Sequence, residues 1–307
     1  MPSHNALPPG VTVFERGWLS SNNILFVGSG STALVDSGYC THADQTLALV
    51  RARLCGDSLG LLVNTHLHSD HCGGNEALQS AFSNLRTLVP PGQADAVRDW
   101  DPVALTYQPT GQECPQFQVD GLLDPGTDVL LGDRLWQVHS ARGHDPHSVI
   151  LFEPRSRVLL SADALWENGF GVVFPELAGE EGFDDVEATL DLIESLGPTT
   201  VVPGHGAVFT EVASALKVAR ARLASYRLDP VRHASHAAKV LIKFKLLELQ
   251  EVPLAELDTW ARRTPYFEMV FLRYFNDFQF SEWLQSLRAS LVKSGAARIL
   301  DGRIVNA

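Results

Sequence analysis

The chain has 307 residues, of which 45% are hydrophobic and 20% charged, and its formal net charge is -12. This length predicts about two domains, and the composition is that of a globular protein with a sizeable core. The negative charge disfavours a surface that binds nucleic acid over its whole extent, and no apolar run approaches the roughly 18 residues of a membrane span.

The cysteines and the first residues predict the compartment. Cys40, Cys55, Cys72 and Cys114 stand without CxxC spacing, which is typical of a reduced cytosolic protein and not of a disulfide framework. The stretch MPSHNALPPGVTVFERG has neither the basic nor the apolar region of a signal peptide. We therefore expect a cytoplasmic protein.

Strand-like and helix-like stretches alternate over the first two-thirds of the chain, which favours an α/β fold. The predicted helices are HADQTLALVRARL, residues 71–82 and residues 184–196. The predicted strands are VTVFERGW, NNILFVGSGSTALVDSG (two strands with a turn), LGLLVNTH, LRTLVP, FQVDGLL, RLWQVHSA, SVILFEP, RVLLSADA and TTVVPGHG. Two looser segments, residues 100–116 and 166–183, are long for structureless connections and are typical of lids.

From about residue 210 the predicted structure is mostly helical, and Asp229-Pro230 interrupts it. A hairpin is predicted around Asp301-Gly302. The charge changes as well: from residue 230 on there are 11 basic and 8 acidic residues (+3), whereas the rest has 13 basic and 28 acidic (-15). We predict two domains, residues 1–229 and 230–307.

The stretch NTHLHSDHCGG places three histidines and one aspartate within six positions: His66, His68, Asp70 and His71. Imidazole and carboxylate groups are ligands of borderline divalent ions such as zinc. If the preceding strand ends at the histidines, His66 and His68 project together from its carboxyl end. Four ligand groups on one loop can hold one metal ion, but they cannot complete the coordination of two.

Three further candidate ligands each follow a predicted strand. His144 follows RLWQV, Asp163 comes directly after RVLLSA, and His205 follows TTVVPG. Strand ends that meet at one sheet edge are where α/β proteins build their sites. The glycines beside these histidines, Gly143, Gly204 and Gly206, let the backbone approach closely. The ordered set predicts a metal site.

Four motifs, taken together, resemble the metal motifs of the metallo-β-lactamase-fold hydrolases over about residues 10–225. They are THLHSDH (65–71), GHDPHS (143–148), SADAL (161–165) and PGHG (203–206). The resemblance implies a four-layer αββα sandwich with two metal ions at one edge. It also implies that an aspartate, here Asp36 of ALVDSG, supports the metal loop; a turn residue at a strand end is the alternative.

The resemblance further implies a role for each ligand. The first metal would be held by His66, His68 and His144, the second by Asp70, His71 and His205, with Asp163 bridging. We expect two divalent ions, zinc foremost, with iron or manganese as alternatives.

An aspartate at position 163, where antibiotic-degrading lactamases often carry cysteine or another residue, resembles the glyoxalase II branch. Two dications about 3.5 Å apart can share a water and lower its pKa toward about 7. The resulting bridging hydroxide would attack a thioester or other acyl ester, with Asp70 as the catalytic residue that orients it. We predict a metal-dependent hydrolase acting on a small ester or thioester.

Three residues are candidate substrate contacts. His147 stands where the glyoxalase II type GHTPGS has a small residue, and a structural histidine is the alternative. Trp166 and Phe174 are expected to form, with Phe170, an apolar wall for an acyl group, or else to cap a hydrophobic patch. No basic signature for glutathione is found in the C-terminal region. Cys72 is expected to start a helix and pack inward.

The C-terminal region resembles a winged-helix module. The net charge of this region is only +3, and the rest of the chain carries a net charge of -15. Nucleic-acid binding is therefore disfavoured. A dimerisation module, giving a homodimer, or a module that closes the pocket is the favoured interpretation.

Three other functions stay open at this point. The same metals with a winged-helix tail would suit a phosphodiesterase or nuclease. A mononuclear iron persulfide dioxygenase of the same fold family would use His66, His144 and Asp163. A non-catalytic effector-binding protein is disfavoured because the ligand set is intact.

Overall fold

The structure is a computed structural model that describes residues 7–307. The chain forms two compact units, one of residues up to 105 and 113–224, the other of residues 106–112 and 225–307. The division into domains of residues 1–229 and 230–307 stays a prediction. The expectation that no signal peptide is present concerns a segment whose first six residues lie outside the described range.

The helices and strands are numbered in chain order. The strands are β1 (Val11–Phe14), β2 (Asn23–Val27), β3 (Thr32–Val35), β4 (Leu61–Val63), β5 (Arg86–Val89), β6 (Gly121–Leu122), β7 (Asp128–Leu131), β8 (Arg134–Ser140), β9 (Val149–Glu153), β10 (Val158–Ala162), β11 (Thr200–Pro203), β12 (Glu251–Pro253), β13 (Ala297–Leu300) and β14 (Arg303–Asn306). The α-helices are α1 (Ala43–Leu54), α2 (Ser69–Cys72), α3 (Asn75–Ala81), α4 (Ala94–Asp99), α5 (Tyr107–Thr110), α6 (Phe174–Ala178), α7 (Gly182–Leu196), α8 (Val212–Leu228), α9 (Pro230–Leu249), α10 (Leu254–Arg263), α11 (Pro265–Tyr274) and α12 (Phe280–Lys293).

The first unit contains two sheets. One has the order β1-β2-β3-β4-β5-β6, in which β3 to β6 are parallel. The other has the order β11-β10-β9-β8-β7, in which β10 and β11 are parallel and the remaining pairs antiparallel. Because β3, β4 and β5 run the same way, the segments that follow them begin at the same edge of the sheet.

Side-chain alternation along the strands builds the layers. Ile24 and Phe26 of β2 face a core shared with Trp136, Leu151 and other residues of the second sheet. Each such fully buried apolar side chain contributes on the order of 1.5–3 kcal/mol to folding. The predicted four-layer αββα sandwich is confirmed.

The opposite face of the first sheet supplies a second core. Leu25 of β2 and Leu62 of β4 pack there with Val50 and Leu54 of α1 and Leu78 of α3. Successive residues of a strand point to opposite faces, so one short strand serves both cores.

The second unit is mostly helical and ends in a hairpin. Asp229 caps α9 by accepting a hydrogen bond from the Arg232 amide, and Pro230 occupies the first turn, which explains the predicted break. Asp301 and Gly302 both have positive φ (49° and 75°), as the predicted type I′ turn requires. The three-stranded sheet has the order β12-β14-β13. The winged-helix assignment stays a prediction.

Several element boundaries differ from the expectation. The helix predicted over residues 71–82 is two helices, α2 and α3, separated by Gly73-Gly74. The short strands β7 and β12 were not predicted, and the two loose segments contain the short helices α5 and α6. Within residues 7–307, no helix is both long and apolar enough to cross a membrane.

Candidate metal centre and active site

The candidate site lies where strands of both sheets of the first unit end. The loop after β4 carries His66 and His68, and α2, which begins at Ser69, carries Asp70 and His71. The remaining residues of the set lie directly beyond β8, β10 and β11; they are His144, Asp163 and His205. All seven predicted ligand residues are brought together.

The seven side chains form two groups. In each group, the potential ligand atoms lie within 4.8 Å of one another. One group is His66, His68 and His144; the other is Asp70, His71, Asp163 and His205. This division matches the two ligand sets expected from the sequence, apart from Asp163, which has contacts to both.

Asp163 lies between the two groups. Its Oδ1 atom is 3.4 Å from His71 Nε2 and 3.8 Å from His205 Nε2. Its Oδ2 atom is 3.4 Å from His144 Nε2. One carboxylate therefore presents a different oxygen to each set of imidazoles, which is the arrangement that a bridging ligand needs.

The outer nitrogens of two ligand imidazoles are held by hydrogen bonds. His71 Nδ1 is 2.8 Å from Asp36 Oδ2, and His144 Nδ1 is 2.6 Å from the Val172 carbonyl oxygen. Each acceptor fixes a proton on Nδ1, so in the neutral ring Nε2 carries the lone pair that faces the site. Asp36 also accepts hydrogen bonds from the amide (2.9 Å) and hydroxyl (2.8 Å) of Thr65. Asp36 thus ties Thr65 and His71 to the end of β3, and its support of a metal loop stays a prediction.

Burial sets the protonation of the first group. Burial, followed by the neighbouring imidazoles, holds the pKa of His66 well below its ordinary value. Burial and the nearby His68 lower the pKa of His144 to about 4. Both rings are therefore neutral at neutral pH, the form in which imidazole binds a metal ion.

Opposite charges dominate in the second group. Burial acts to lower the pKa of His71, but the carboxylates of Asp163 and Asp36 outweigh it and raise that pKa well above the usual value. Burial likewise acts to raise the pKa of Asp163, but His71 and His205 outweigh it and hold it well below the usual value. This buried carboxylate depends on positive charge beside it, which a dication also supplies.

The donor atoms of the cluster meet what a divalent ion requires. Within residues 7–307, the buried His66 Nε2 makes no hydrogen bond, and His71 Nε2 faces Asp163 without hydrogen-bond geometry. Leaving a buried polar atom unpaired costs about 1–3 kcal/mol, so these two inward-facing ring nitrogens need a partner. Imidazole nitrogens with carboxylate oxygens are the donor set of zinc, iron and manganese sites. The residues fit divalent metal ions.

Gly204 allows the chain that follows β11 to lie close to Asp163 and His71. A Cβ atom there would lie 2.2 Å from Asp163 Oδ1 and 3.0 Å from His71 Cε1. The other two glycines named from the sequence act elsewhere: Gly143 packs against Val186 of α7, and at Gly206 a Cβ would meet nothing within 4 Å. Only Gly204 of the three makes room for the ligand cluster directly.

Aromatic rings flank the cluster on two sides. The Phe174 ring lies 5.1 Å from that of His68, and the Trp166 ring lies 5.6 Å from that of His205. Trp18 is a neighbour that sequence reasoning missed: its ring is stacked on His205 at 5.4 Å. No motif marks Trp18, because it is brought here from the segment between β1 and β2.

The surroundings of His147 and Cys72 differ from those of the aromatic residues beside the cluster. His147 packs beside Gly92, where an added Cβ would lie 2.0 Å from His147 Nδ1, and its amide donates to Asp145. Neither of these two contacts involves the ligand cluster, and the substrate role of His147 stays a prediction. Cys72 is fully buried with its Sγ 3.9 Å from that of Cys114. All four cysteines lie in the described range and none forms a disulfide.

Comparison with known proteins gives a family match. A family model described as metallo-beta-lactamase superfamily matches residues 16–205. A hydroxyacylglutathione hydrolase from Anaeromyxobacter dehalogenans (strain 2CP-C) is 33% identical over 236 residues, covering 74% of this chain and 78% of that protein. The acyl-coenzyme A thioesterase MBLAC2 from Bos taurus is 26% identical over 232 residues, covering 66% of this chain and 80% of its own.

The fold extends over the whole length of a solved structure. The crystal structure of a metallo-beta-lactamase family protein from Thermus thermophilus matches with a TM-score of 0.57 at 20% identity. The match covers 98% of this chain and 100% of that one. At this identity the likeness bears on the fold alone. The histidine and aspartate cluster together with the family match indicates divalent metal binding.

Proposed function

The chain belongs to the metallo-beta-lactamase superfamily and is a hydrolase of that superfamily, and on this premise we propose that it is a dinuclear metal-dependent hydrolase of thioesters or other acyl esters. The observation that carries the proposal is the position of Asp163. Its two oxygens face different groups of imidazoles, each at 3.4 Å. A carboxylate that lies between two groups of imidazoles suits two ions that share it.

In this proposal every residue of the cluster is a metal ligand. His66, His68 and His144 hold the first ion; Asp70, His71 and His205 hold the second; Asp163 is shared. Two bound dications would lower the pKa of a shared water toward about 7 and polarise the carbonyl of the substrate. Zinc is the ion we propose first, with iron or manganese as alternatives.

The chain's own groups orient the reaction. Asp70 Oδ2 is 3.1 Å from His205 Nε2, and its side chain keeps 15% of its surface exposed, more than Asp163 with 6%. We assign to Asp70 the role of accepting a hydrogen bond from the nucleophile. The Trp166 indole N–H lies 3.2 Å from Asp163 Oδ1 and holds that carboxylate in its orientation.

The surroundings of the site support an acyl substrate. Phe174 at one side and Trp166 at the other offer apolar surface to a chain attached to the reacting carbonyl. The names of the two relatives, a hydroxyacylglutathione hydrolase and an acyl-coenzyme A thioesterase, agree with this substrate class. Within residues 7–307, no hydrogen bond or ion pair joins a lysine or arginine to the seven cluster residues, so phosphodiester cleavage is a comparison arm of the test and not a second proposal.

The proposal is tested with a substrate panel. Metal-loaded protein is assayed on S-acylglutathione, acyl-coenzyme A and bis(4-nitrophenyl) phosphate, and oxygen uptake is followed with glutathione persulfide. We expect thioester hydrolysis that is lost in Asp163→Asn. The matched control is Asp133→Asn, whose carboxylate bonds Ser29 at the distant β7–β8 turn. Oxygen uptake without thioester hydrolysis would overturn the proposal in favour of the dioxygenase.

Two further expectations remain part of the proposal. We propose a homodimer formed through residues 230–307, where the charge of +3 does not favour nucleic acid. Sedimentation velocity over a range of concentrations tests it, and a monomer at every concentration would end it. A cytoplasmic location stays a prediction.

A further inference from the structure

Trp18 is the least expected neighbour of the metal centre. Its side chain is 55% exposed, yet its ring lies parallel to the His205 imidazole, with 5.4 Å between centroids and 12° between planes. It also meets Trp166 edge to face, at 5.2 Å and 70°. Two indoles therefore form a corner beside His205, one of them largely open to solvent.

Exposure of this size is unusual for an indole. Among the strongly exposed large apolar side chains described in residues 7–105 and 113–224, Trp18 is the one aromatic residue. An indole offers a wide, stiff apolar surface at a low cost in conformational entropy, which is why tryptophan is enriched at binding surfaces. Its position beside a candidate catalytic centre indicates that the surface receives substrate.

The segment that carries Trp18 is fixed to the ligand loops. The Asn22 side chain donates hydrogen bonds to the carbonyl oxygens of Pro203 (2.9 Å) and Gly206 (2.7 Å), on either side of His205. The Ser21 amide donates to the carbonyl oxygen of Asp70 at 2.9 Å. Because these bonds hold the segment before any ligand binds, the indole is preorganised, and little entropy is lost on binding.

We propose that Trp18, with Trp166 at its edge, is the specificity-determining surface for the apolar acyl chain of the substrate. This inference rests on the proposed function, because Trp18 and Trp166 flank His205 and Trp166 contacts Asp163, where the acyl carbonyl would react. The acyl chain is the occupant that fits, since a flat apolar corner matches a hydrocarbon chain and not the charged carriers glutathione and coenzyme A. The proposal requires that a chain of several methylenes reach Trp18 and that an acetyl group fall short of it.

The test separates the acyl chain from the carrier. N-acetylcysteamine thioesters with acetyl, hexanoyl and decanoyl groups are hydrolysed by the metal-loaded wild type, Trp18→Ala and Trp18→Phe. We expect Trp18→Ala to lower kcat/KM for decanoyl by about tenfold or more and for acetyl by less than about threefold, since lost apolar contact scales with chain length. Trp18→Phe should retain most of the preference. The control is Leu135→Ala, an equally exposed apolar residue on β8.

A binding measurement makes the result independent of turnover. Calorimetry with N-acetyl-S-decylcysteamine and N-acetyl-S-ethylcysteamine, which cannot be hydrolysed, should show weaker binding of the decyl compound alone in Trp18→Ala. If the wild type hydrolyses no thioester yet this difference appears, the proposed function fails and the Trp18 surface stands. An equal loss of kcat/KM at every chain length, with reduced metal content, would overturn the inference, because Trp18 would then only support His205. Unchanged chain-length dependence in both assays would overturn it as well.

Discussion

His71 donates its Nδ1 proton to Asp36 over 2.8 Å, and both side chains are almost completely buried. Asp36 has positive φ (57°) and also receives the two hydrogen bonds from Thr65, so three donors converge on one carboxylate. An acceptor behind a ligand imidazole fixes the ring and raises its basicity. We therefore infer that Asp36 would set how firmly His71 holds a metal ion.

This relationship predicts the effect of Asp36→Asn. The amide can accept fewer of these hydrogen bonds and carries no charge, so metal affinity should fall by about 10- to 100-fold while the fold persists. Competition with a chromophoric chelator measures the affinity. Asp44→Asn, an exposed carboxylate in the first turn of α1, is the control. Equal affinities for the wild type and Asp36→Asn would refute the supporting role.

The close packing of Gly204 against Asp163 predicts the effect of a second substitution, Gly204→Ala. In Gly204→Ala the new methyl group would lie 2.2 Å from Asp163 Oδ1, so the carboxylate has to move away from His71 and His205. We expect metal content and hydrolysis to fall together. Gly30→Ala serves as the control because a Cβ there meets nothing within 4 Å. Full metal occupancy in Gly204→Ala would mean that Asp163 does not need its present position.

His233 in α9 predicts a pH dependence of stability. Burial and the nearby His236 lower the pKa of His233 to about 3, and its ring packs against Tyr226 at 4.9 Å. The folded ring stays neutral, whereas in the unfolded chain it takes up a proton near pH 6.5. Stability is therefore full above about pH 6.5 and falls as the pH drops toward 3, by about 1.4 kcal/mol per pH unit, or about 2 kcal/mol at pH 5.

His233→Gln tests this dependence. The urea concentration at the midpoint of unfolding is measured for α9 by hydrogen exchange. Between pH 7.5 and pH 5 this midpoint should change less in His233→Gln than in the wild type. His139→Gln, a partly buried histidine of β8, is the comparison variant. The same loss of stability with pH in wild type and His233→Gln would assign the acid sensitivity to other groups.

The sequence allowed the ligand cluster to be predicted because its signals are local. Each candidate follows a strand, and parallel strands end at a common edge, so His144, Asp163 and His205 could be placed with the HxHxDH loop. The apolar residues of β2 and β3 are continuous in the sequence, and the folded strands divide them between two cores. The break between α2 and α3 lies at Gly73-Gly74. It was not predicted, because the residues around this pair fit the helical pattern of residues 71–82.

Trp18 and β12 could not be predicted for the opposite reason. Trp18 reaches His205 only because Asn22 bonds to backbone near residue 204, about 180 positions away in the chain. The strand β12 has three residues and is defined by its pairing with β14, 50 or more positions later. Contacts of this range leave no periodic pattern in the sequence, and only the folded chain reveals them.

The most direct test of the central claim is metal content per chain, measured by elemental mass spectrometry on freshly purified protein. His68→Ala removes a ligand of the first group and Asp70→Ala one of the second, while His139→Ala is the control. We predict about two ions per chain in the wild type and in His139→Ala, and a clear loss in both ligand variants. About one iron per chain, unchanged by either ligand substitution, would contradict the dinuclear centre.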